Sequence, residues 1–336
     1  MKHILVVSTT GMGDCLWGTP AIRALKRSFP EAKIDFLVNV KWRPLFDNNP
    51  NIDRLMEWSH HWYRYLPLGL RLMLNTFSYD AVLIFHSNRS IRRLLPFVRY
   101  SELWCHQDFD WIPEKFQIRF NGSVHGIQRR FALLEKAGAR QDGSQMELFF
   151  DEDDRKKTSD YLKEEGFLLG EYVYLNVGAS LGHKQWLDDR FIELADRILN
   201  KTSFNIILGG GPEDKIRSRN IAEKLEASRV ADACGRPIRA NAGLIAQARL
   251  MVTTDTGPMH IALAVKVPTV ALFGPTLAAE SGPYEIPDEL CDLIQSPLTG
   301  SVPPDGDRIE DYFYAPISVD MVWEKVQKKL ATQLDY

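Results

Sequence analysis

Along this chain, short unbroken apolar runs alternate with amphipathic stretches, and polar turns separate them. Residues 4–7 form the first run, and an unbroken apolar run of this kind predicts a strand buried on both faces. A glycine-containing loop follows, with Gly11, Gly13 and Asp14. Thr19 and Pro20 then open an amphipathic helix that Pro30 stops. Residues 34–38 and 79–85 predict two further strands. Between them Trp62, Tyr65, Leu66, Leu70 and Leu74 recur at helical spacing. That stripe is expected to face a core, with an exposed face near a membrane as the alternative. Residues 124–138 predict a helix with Gly138 as its C-terminal cap.

The highly charged stretch 151–165 predicts a connecting helix and places a domain boundary in or near it. The alternation then restarts. Strands are expected at 172–177, 204–208, 250–252 and 267–274, with helices at 188–199, after 214, near 240–248 and after 256. Repeated strand–helix–strand units build parallel sheets, so the fold class is α/β with two Rossmann-like domains. The first is expected over 1–160 and the second over 166–316. Residues 297–304 are rich in Pro and Gly and predict a mobile connection. Trp323, Val326 and Leu330 then mark an amphipathic helix over 318–333.

Three loops of the second half follow strands and therefore share one sheet edge. Asp255 and Thr256 stand where a helix N-cap belongs, and Pro258 suits the first turn. Such a helix start binds anions through its unpaired N–H groups, and Gly257 lets a ligand approach the backbone. His260 falls three residues later on the same helical face. Gly178, Ser180 and Lys184 offer backbone donors and a cation. Gly210 with Glu213 and Asp214 offers close approach and a carboxylate suited to ribose hydroxyls. Each loop alone reads as a capped turn; together they describe a site for a nucleotide diphosphate.

The first loop lacks the dinucleotide fingerprint, because Leu16 stands where its third glycine belongs, and it lacks a Walker lysine. This disfavours an NAD-dependent dehydrogenase. Asp14 is left as either a general base or a capping carboxylate. Arg89, Arg92, Arg93 and Arg99 form a basic cluster, either a solvated face or a cradle for an anionic acceptor.

Composition narrows the class without changing it. The chain has 336 residues, 45% hydrophobic and 25% charged, which suits two globular domains. A net charge of −3 gives no general attraction to nucleic acid. No apolar run reaches membrane-spanning length, and the start is too short and strand-like for a signal peptide. Cys15, Cys105, Cys234 and Cys291 lack metal-ligand spacing and are expected to be reduced in a cytoplasmic protein.

The motifs resemble those of glycosyltransferase family 9, the lipopolysaccharide heptosyltransferases. The likeness rests on Gly13-Asp14 with Thr19-Pro20-Ala21-Ile22-Arg23-Ala24-Leu25-Lys26, then Gly178-Ala179-Ser180 with Lys184-Gln185-Trp186. It continues through Gly209-Gly210-Gly211-Pro212-Glu213 and Thr254-Asp255-Thr256-Gly257-Pro258-Met259-His260, ending at Phe273-Gly274-Pro275-Thr276. It departs at Trp17, where the family often carries His.

The resemblance implies a GT-B fold whose C-terminal helix, 318–333, crosses back to the first domain. It implies inverting, metal-independent transfer of a heptose from an ADP-sugar to an anionic lipid-linked saccharide, without a cofactor. By the same resemblance Asp14 is the general base and Lys184 neutralises the leaving diphosphate. Thr256 and Gly257 contact that diphosphate, Asp255 lies near the donor sugar, and Glu213 or Asp214 holds the ribose. Arg89, Arg92 and Arg93 remain the acceptor candidates, with peripheral contact at the cytoplasmic face of an inner membrane. A nucleotide-sugar epimerase of the same fold and a non-catalytic nucleotide-sugar-binding partner are the alternatives.

Overall fold

A computed structural model describes residues 1–59, 61–106, 109–301 and 309–331. The chain divides into two compact units, Met1–Phe149 and Phe150–Tyr336. The first is built on strands β1 (His3–Ser8), β2 (Lys33–Asn39), β3 (Arg54–Trp58), β4 (Tyr79–His86) and β5 (Tyr100–Cys105). All neighbours pair in parallel, in the order β3-β2-β1-β4-β5. Ile4 to Val7 are fully buried, as their unbroken apolar run requires. Helices α1 (Met12–Leu16), α2 (Thr19–Ser28), α3 (Trp62–Met73) and α4 (Gly126–Lys136) accompany this sheet. The loop expected over residues 8–14 thus becomes helical from Met12.

The second unit begins with α5 (Glu152–Glu164), which carries a capping box between Asp151 and Asp154. Arg239 anchors this helix through Asp154 at 2.8 and 2.9 Å, so it belongs with the second unit and not with a first domain reaching residue 160. Strands β6 (Tyr172–Asn176), β7 (Asn205–Gly209), β8 (Val230–Asp232), β9 (Leu250–Thr254), β10 (Thr269–Phe273) and β11 (Cys291–Gln295) follow. Their order, β8-β7-β6-β9-β10-β11, is that of a dinucleotide-binding sheet. The crossovers are α6 (Asp188–Lys201), α7 (Lys215–Ala222), α8 (Ile238–Ala246) and α9 (Gly257–Ala264). Two short helices, α10 (Ala278–Ser281) and α11 (Ile309–Tyr312), lead to α12 (Val319–Ala331).

The structure corrects two placements. The C-terminal helix, assigned with 318–333 to the first domain, packs on the second. Val319, Val322 and Val326 of α12 lie in one core with Val252, Val270 and Leu272, and Lys329 donates to the carbonyls of Asp288 and Glu289. The stripe on α3 is not in a core: Leu66, Leu70 and Leu74 are exposed. The side chains of Trp62 and Tyr65, residues 302–304 of the Pro- and Gly-rich stretch, and residues 332–333 lie outside the described residues.

Both sheets reverse strand order once, between β1 and β4 and between β6 and β9. Open α/β sheets bind ligands beyond the strand ends at such a reversal.

Candidate functional site

In the first unit the reversal brings the loop after β1 beside the end of β4. Thr10 Oγ1 donates to Asp14 Oδ2 at 3.0 Å, and the same hydroxyl hydrogen-bonds His86 Nδ1. A hydroxyl has one proton to give, so its lone pair receives the imidazole N–H. Imidazole, hydroxyl and carboxylate therefore form a chain of hydrogen bonds ending on Asp14. The Gly11 N–H also donates to Asp14 Oδ2, at 3.3 Å, so Asp14 caps its turn as well as presenting a charge. On the other oxygen, Arg130 Nη2 stands 3.4 Å from Oδ1. Arg130 is 1% exposed. It also donates to the carbonyls of Asp14 at 3.0 Å and Gly126 at 2.8 Å, beneath the ring of Trp17 at 5.3 Å.

These contacts set the charges. Burial works against an ionised Asp14, but His86, Arg130 and the hydrogen bonds of Thr10 and Gly11 outweigh it and hold the carboxyl below its ordinary value. Burial, with Arg130 and Arg129, lowers His86 against the pull of Asp14. Burial and then Arg130 lower His106 to about 3. At neutral pH the edge thus presents one carboxylate beside neutral imidazoles.

In the second unit Asn176 closes β6 and ties the reversal together. Its Nδ2 lies 2.9 Å from the Gly178 carbonyl and 3.2 Å from both Thr253 Oγ1 and Thr256 Oγ1. Lys184 Nζ binds Asp255 Oδ2 at 2.7 Å. Thr276 donates to the same oxygen, and Ser281 Oγ lies 3.5 Å from both. Thr256 is the N-cap of α9, with extended backbone (φ −140°, ψ 169°), and Gly257 begins the helix. His260 is 3% exposed, beneath the first turn and not on its surface.

The two carboxylates after Gly210 differ. Asp214 is buried and accepts from the Gly211 N–H at 2.9 Å and Gln185 Nε2 at 3.3 Å. Burial, and then the charge of Glu213, raise its carboxyl above the usual value. Glu213 is exposed and lies over Gly211, whose missing Cβ would meet its carboxylate oxygens at 2.7 and 2.8 Å. Gly178 has no room for a side chain either: a Cβ would sit 2.1 Å from Asp214 Oδ2 and 2.9 Å from Gly210 Cα. Gly178→Ala is therefore expected to cost about 1–3 kcal/mol of stability by overpacking, read as a lower denaturation midpoint. A midpoint equal to that of the unaltered protein would mean the loops part freely.

The structure gathers Gly178, Lys184, Gly210, Glu213, Asp214, Asp255, Thr256 and Gly257 on loops following β6, β7 and β9, and leaves Ser180 exposed on the first of them. Arg89, Arg92 and Arg93 are exposed on the turn after β4, on the edge that holds His86. Arg99 is separate from them. It donates to the carbonyls of Met73 and Asn75 at 3.1 and 2.6 Å and so closes the end of α3. Thr10, His86, Arg130 and Asn176 were not among the candidates. Arg130 had left a trace, since it interrupts the apolar stripe of Ile127, Phe131 and Leu134 on α4.

A family model described as Glycosyltransferase family 9 (heptosyltransferase) matches residues 95–298. Lipopolysaccharide heptosyltransferase 3 of Escherichia coli strain K12 is 28% identical over 277 residues, which is 79% of this chain and 80% of that one. The crystal structure of the glycosyl transferase family 9 protein from Veillonella parvula DSM 2008 superposes with a TM-score of 0.83 at 21% identity, covering 98% of this chain and 97% of that one. The E. coli ADP-heptose LPS heptosyltransferase II superposes with a TM-score of 0.76 at 20% identity, covering 98% of each. The fold shared with these structures is GT-B.

Proposed function

Because this chain belongs to glycosyltransferase family 9, we propose that it is an inverting, metal-independent enzyme that moves a heptose from ADP-heptose to a lipopolysaccharide core or similar lipid-linked acceptor. The observation that carries this is the chemistry at the two strand-order reversals. One holds an ionised carboxylate; the other holds a lysine and a helix start.

In the first unit Asp14 takes the proton of an acceptor hydroxyl as that oxygen bonds to the anomeric carbon. The bond from that carbon to the diphosphate breaks on the opposite face, and its electron pair leaves with ADP. In the second unit Lys184 and the first turn of α9 neutralise the departing charge, the work a metal ion does elsewhere. Asp255 holds Lys184 ready and stands near the donor sugar. Glu213 takes the ribose hydroxyls, since Asp214 is already committed to the Gly211 N–H and Gln185. Arg89, Arg92 and Arg93 hold the anionic acceptor, and the enzyme meets it as a peripheral protein at the cytoplasmic face of a membrane.

Calorimetric titration with ADP, UDP and GDP, with and without magnesium, tests the donor. ADP is expected to bind best, with the same affinity whether or not magnesium is present; preference for UDP or GDP would overturn the choice of nucleotide. Glu213→Ala is expected to weaken ADP binding about tenfold with an unchanged melting temperature, a hydrogen-bond loss of about 1.4 kcal/mol. Asp214→Ala should do the reverse, lowering the melting temperature through its loop. Equal behaviour of the two variants would remove the assignment of the ribose to Glu213.

A further inference from the structure

The apolar stripe on α3 is on the surface. Tyr63 is 55% exposed, Leu66 40%, Leu70 45% and Met73 49%, and Leu74, just past the helix, is 76% exposed. Positions 63, 66, 70, 73 and 74 follow helical spacing and share one face, an arc of about 100°. The helix packs inward through other residues. Leu72 is 3% exposed, Leu68 joins the core of the first unit, and a Cβ on Gly69 would meet Phe97 at 3.0 Å.

Charge narrows what this face meets. Residues 58–101 carry Arg64, Arg71, Arg89, Arg92, Arg93 and Arg99, with Asp80 as the sole acidic residue, in a chain whose net charge is −3. Asp80 is itself engaged by the backbone N–H groups of Lys2 and His3. Arg71, Arg92 and Arg99 are exposed, and Arg99 is fixed at the end of α3. A second copy of this face would bring arginines against arginines. A surface of anionic phospholipid would meet both features, apolar chains below and phosphates around the rim. The helix is 12 residues long, and no helix among the described residues is long and apolar enough to cross a membrane. It suits a position in the plane of the interface.

We propose that α3 is an in-plane membrane anchor, with Leu66, Leu70, Met73 and Leu74 entering the lipid boundary and arginines binding phospholipid phosphates. This rests on the assignment of a lipid-borne acceptor, and it names the surface that reaches it.

The test is flotation of the full-length protein with vesicles of phosphatidylethanolamine and phosphatidylglycerol, and with vesicles of phosphatidylcholine alone. Binding is expected to the anionic vesicles only, and to fall about tenfold or more at about 0.5 M salt. The double variant Leu66→Glu, Leu70→Glu is expected to lose about a hundredfold in vesicle binding. Both residues are exposed, so its melting temperature, ADP affinity and rate on a deacylated, water-soluble acceptor should stay unchanged while its rate on the vesicle-borne acceptor falls. Failure of the unaltered protein to float, or a double variant that floats as well as it does, would overturn the anchor. So would sedimentation showing a dimer that the double variant breaks, because the face would then belong to a protein contact. Vesicle binding lost in the variant, without sugar transfer to any acceptor by the unaltered protein, would uphold the anchor and overturn the transferase assignment.

Discussion

Replacing Asp14 with asparagine is expected to lower turnover about a thousandfold while ADP binds as before. Asparagine keeps the size of the side chain and one oxygen, which can face either Arg130 or the Thr10 hydroxyl and Gly11 N–H but not both. It removes the charge that accepts the proton. Alanine is a poorer test, because besides the charge it removes the whole polar side chain beside Arg130, which is 1% exposed. The pH profile gives a second check. Asp14 is held below its ordinary value, so it is ionised through the neutral range and the acid limb of kcat/KM should lie below about pH 4. Arg130→Met removes a positive charge that favours the carboxylate, so the acid limb should move upward. Stability follows the same sign. A carboxyl lowered by folding stabilises the fold above its unfolded pKa, and that contribution is lost as pH falls through the folded pKa. Undiminished turnover in Asp14→Asn would remove the general-base role.

Lys184→Ala is expected to lower kcat/KM by about a hundred- to a thousandfold, the effect of removing one group that stabilises a departing charge. It also strands Asp255, which is 4% exposed and would keep Thr276 and Ser281 as donors but no cation. The Lys184 side chain is 21% exposed, so the lost pair is partly screened, and a stability loss of roughly 2 kcal/mol is expected. The two effects separate in the double variant Lys184→Ala, Asp255→Asn. With no buried charge left, stability should recover in part, while activity should not. Activity that recovers with stability would make Lys184 a structural partner of Asp255 alone.

How much of this was legible depended on where each element lies in its sheet. The interior strands, β1, β2, β4, β6, β7, β9 and β10, are dominated by apolar runs, broken in β2 by the buried Asp35, and each was expected. The four strands that sequence patterning missed are β3, β5, β8 and β11, and these are the four sheet edges. Edge strands carry charges that discourage pairing with other chains, here Arg54, Glu57, Glu102, Asp232 and Asp292, and those charges break the apolar pattern. Helical periodicity shows that a face exists, not what covers it. Hence α3 was expected in a core and lies on the surface, and α12 was assigned to the wrong unit. Within the site, loop residues with their own motif were legible: Asp14, Gly178, Lys184, Thr256 and Gly257. His86 and Asn176 were not, because parallel pairing of distant strands brings each to its partners, and Thr10 is one hydroxyl among several polar letters of its turn. The separate fates of Glu213 and Asp214 depend on burial, which two adjacent acidic letters do not reveal.

Arg130 lies 116 positions beyond Asp14, on a helix outside the opening strand–helix–strand segment. The aspartate turn is therefore not a portable module. Cut out with its first two strands, or grafted into another sheet, it would keep every residue of its motif and the hydrogen bonds of Thr10 and Gly11, but lose the charges of His86 and Arg130 that help hold its carboxyl down. The converse holds for descent: substitutions in α4 can retune the carboxyl of Asp14, and with it the working pH if Asp14 is the base, while the turn that carries it stays unaltered.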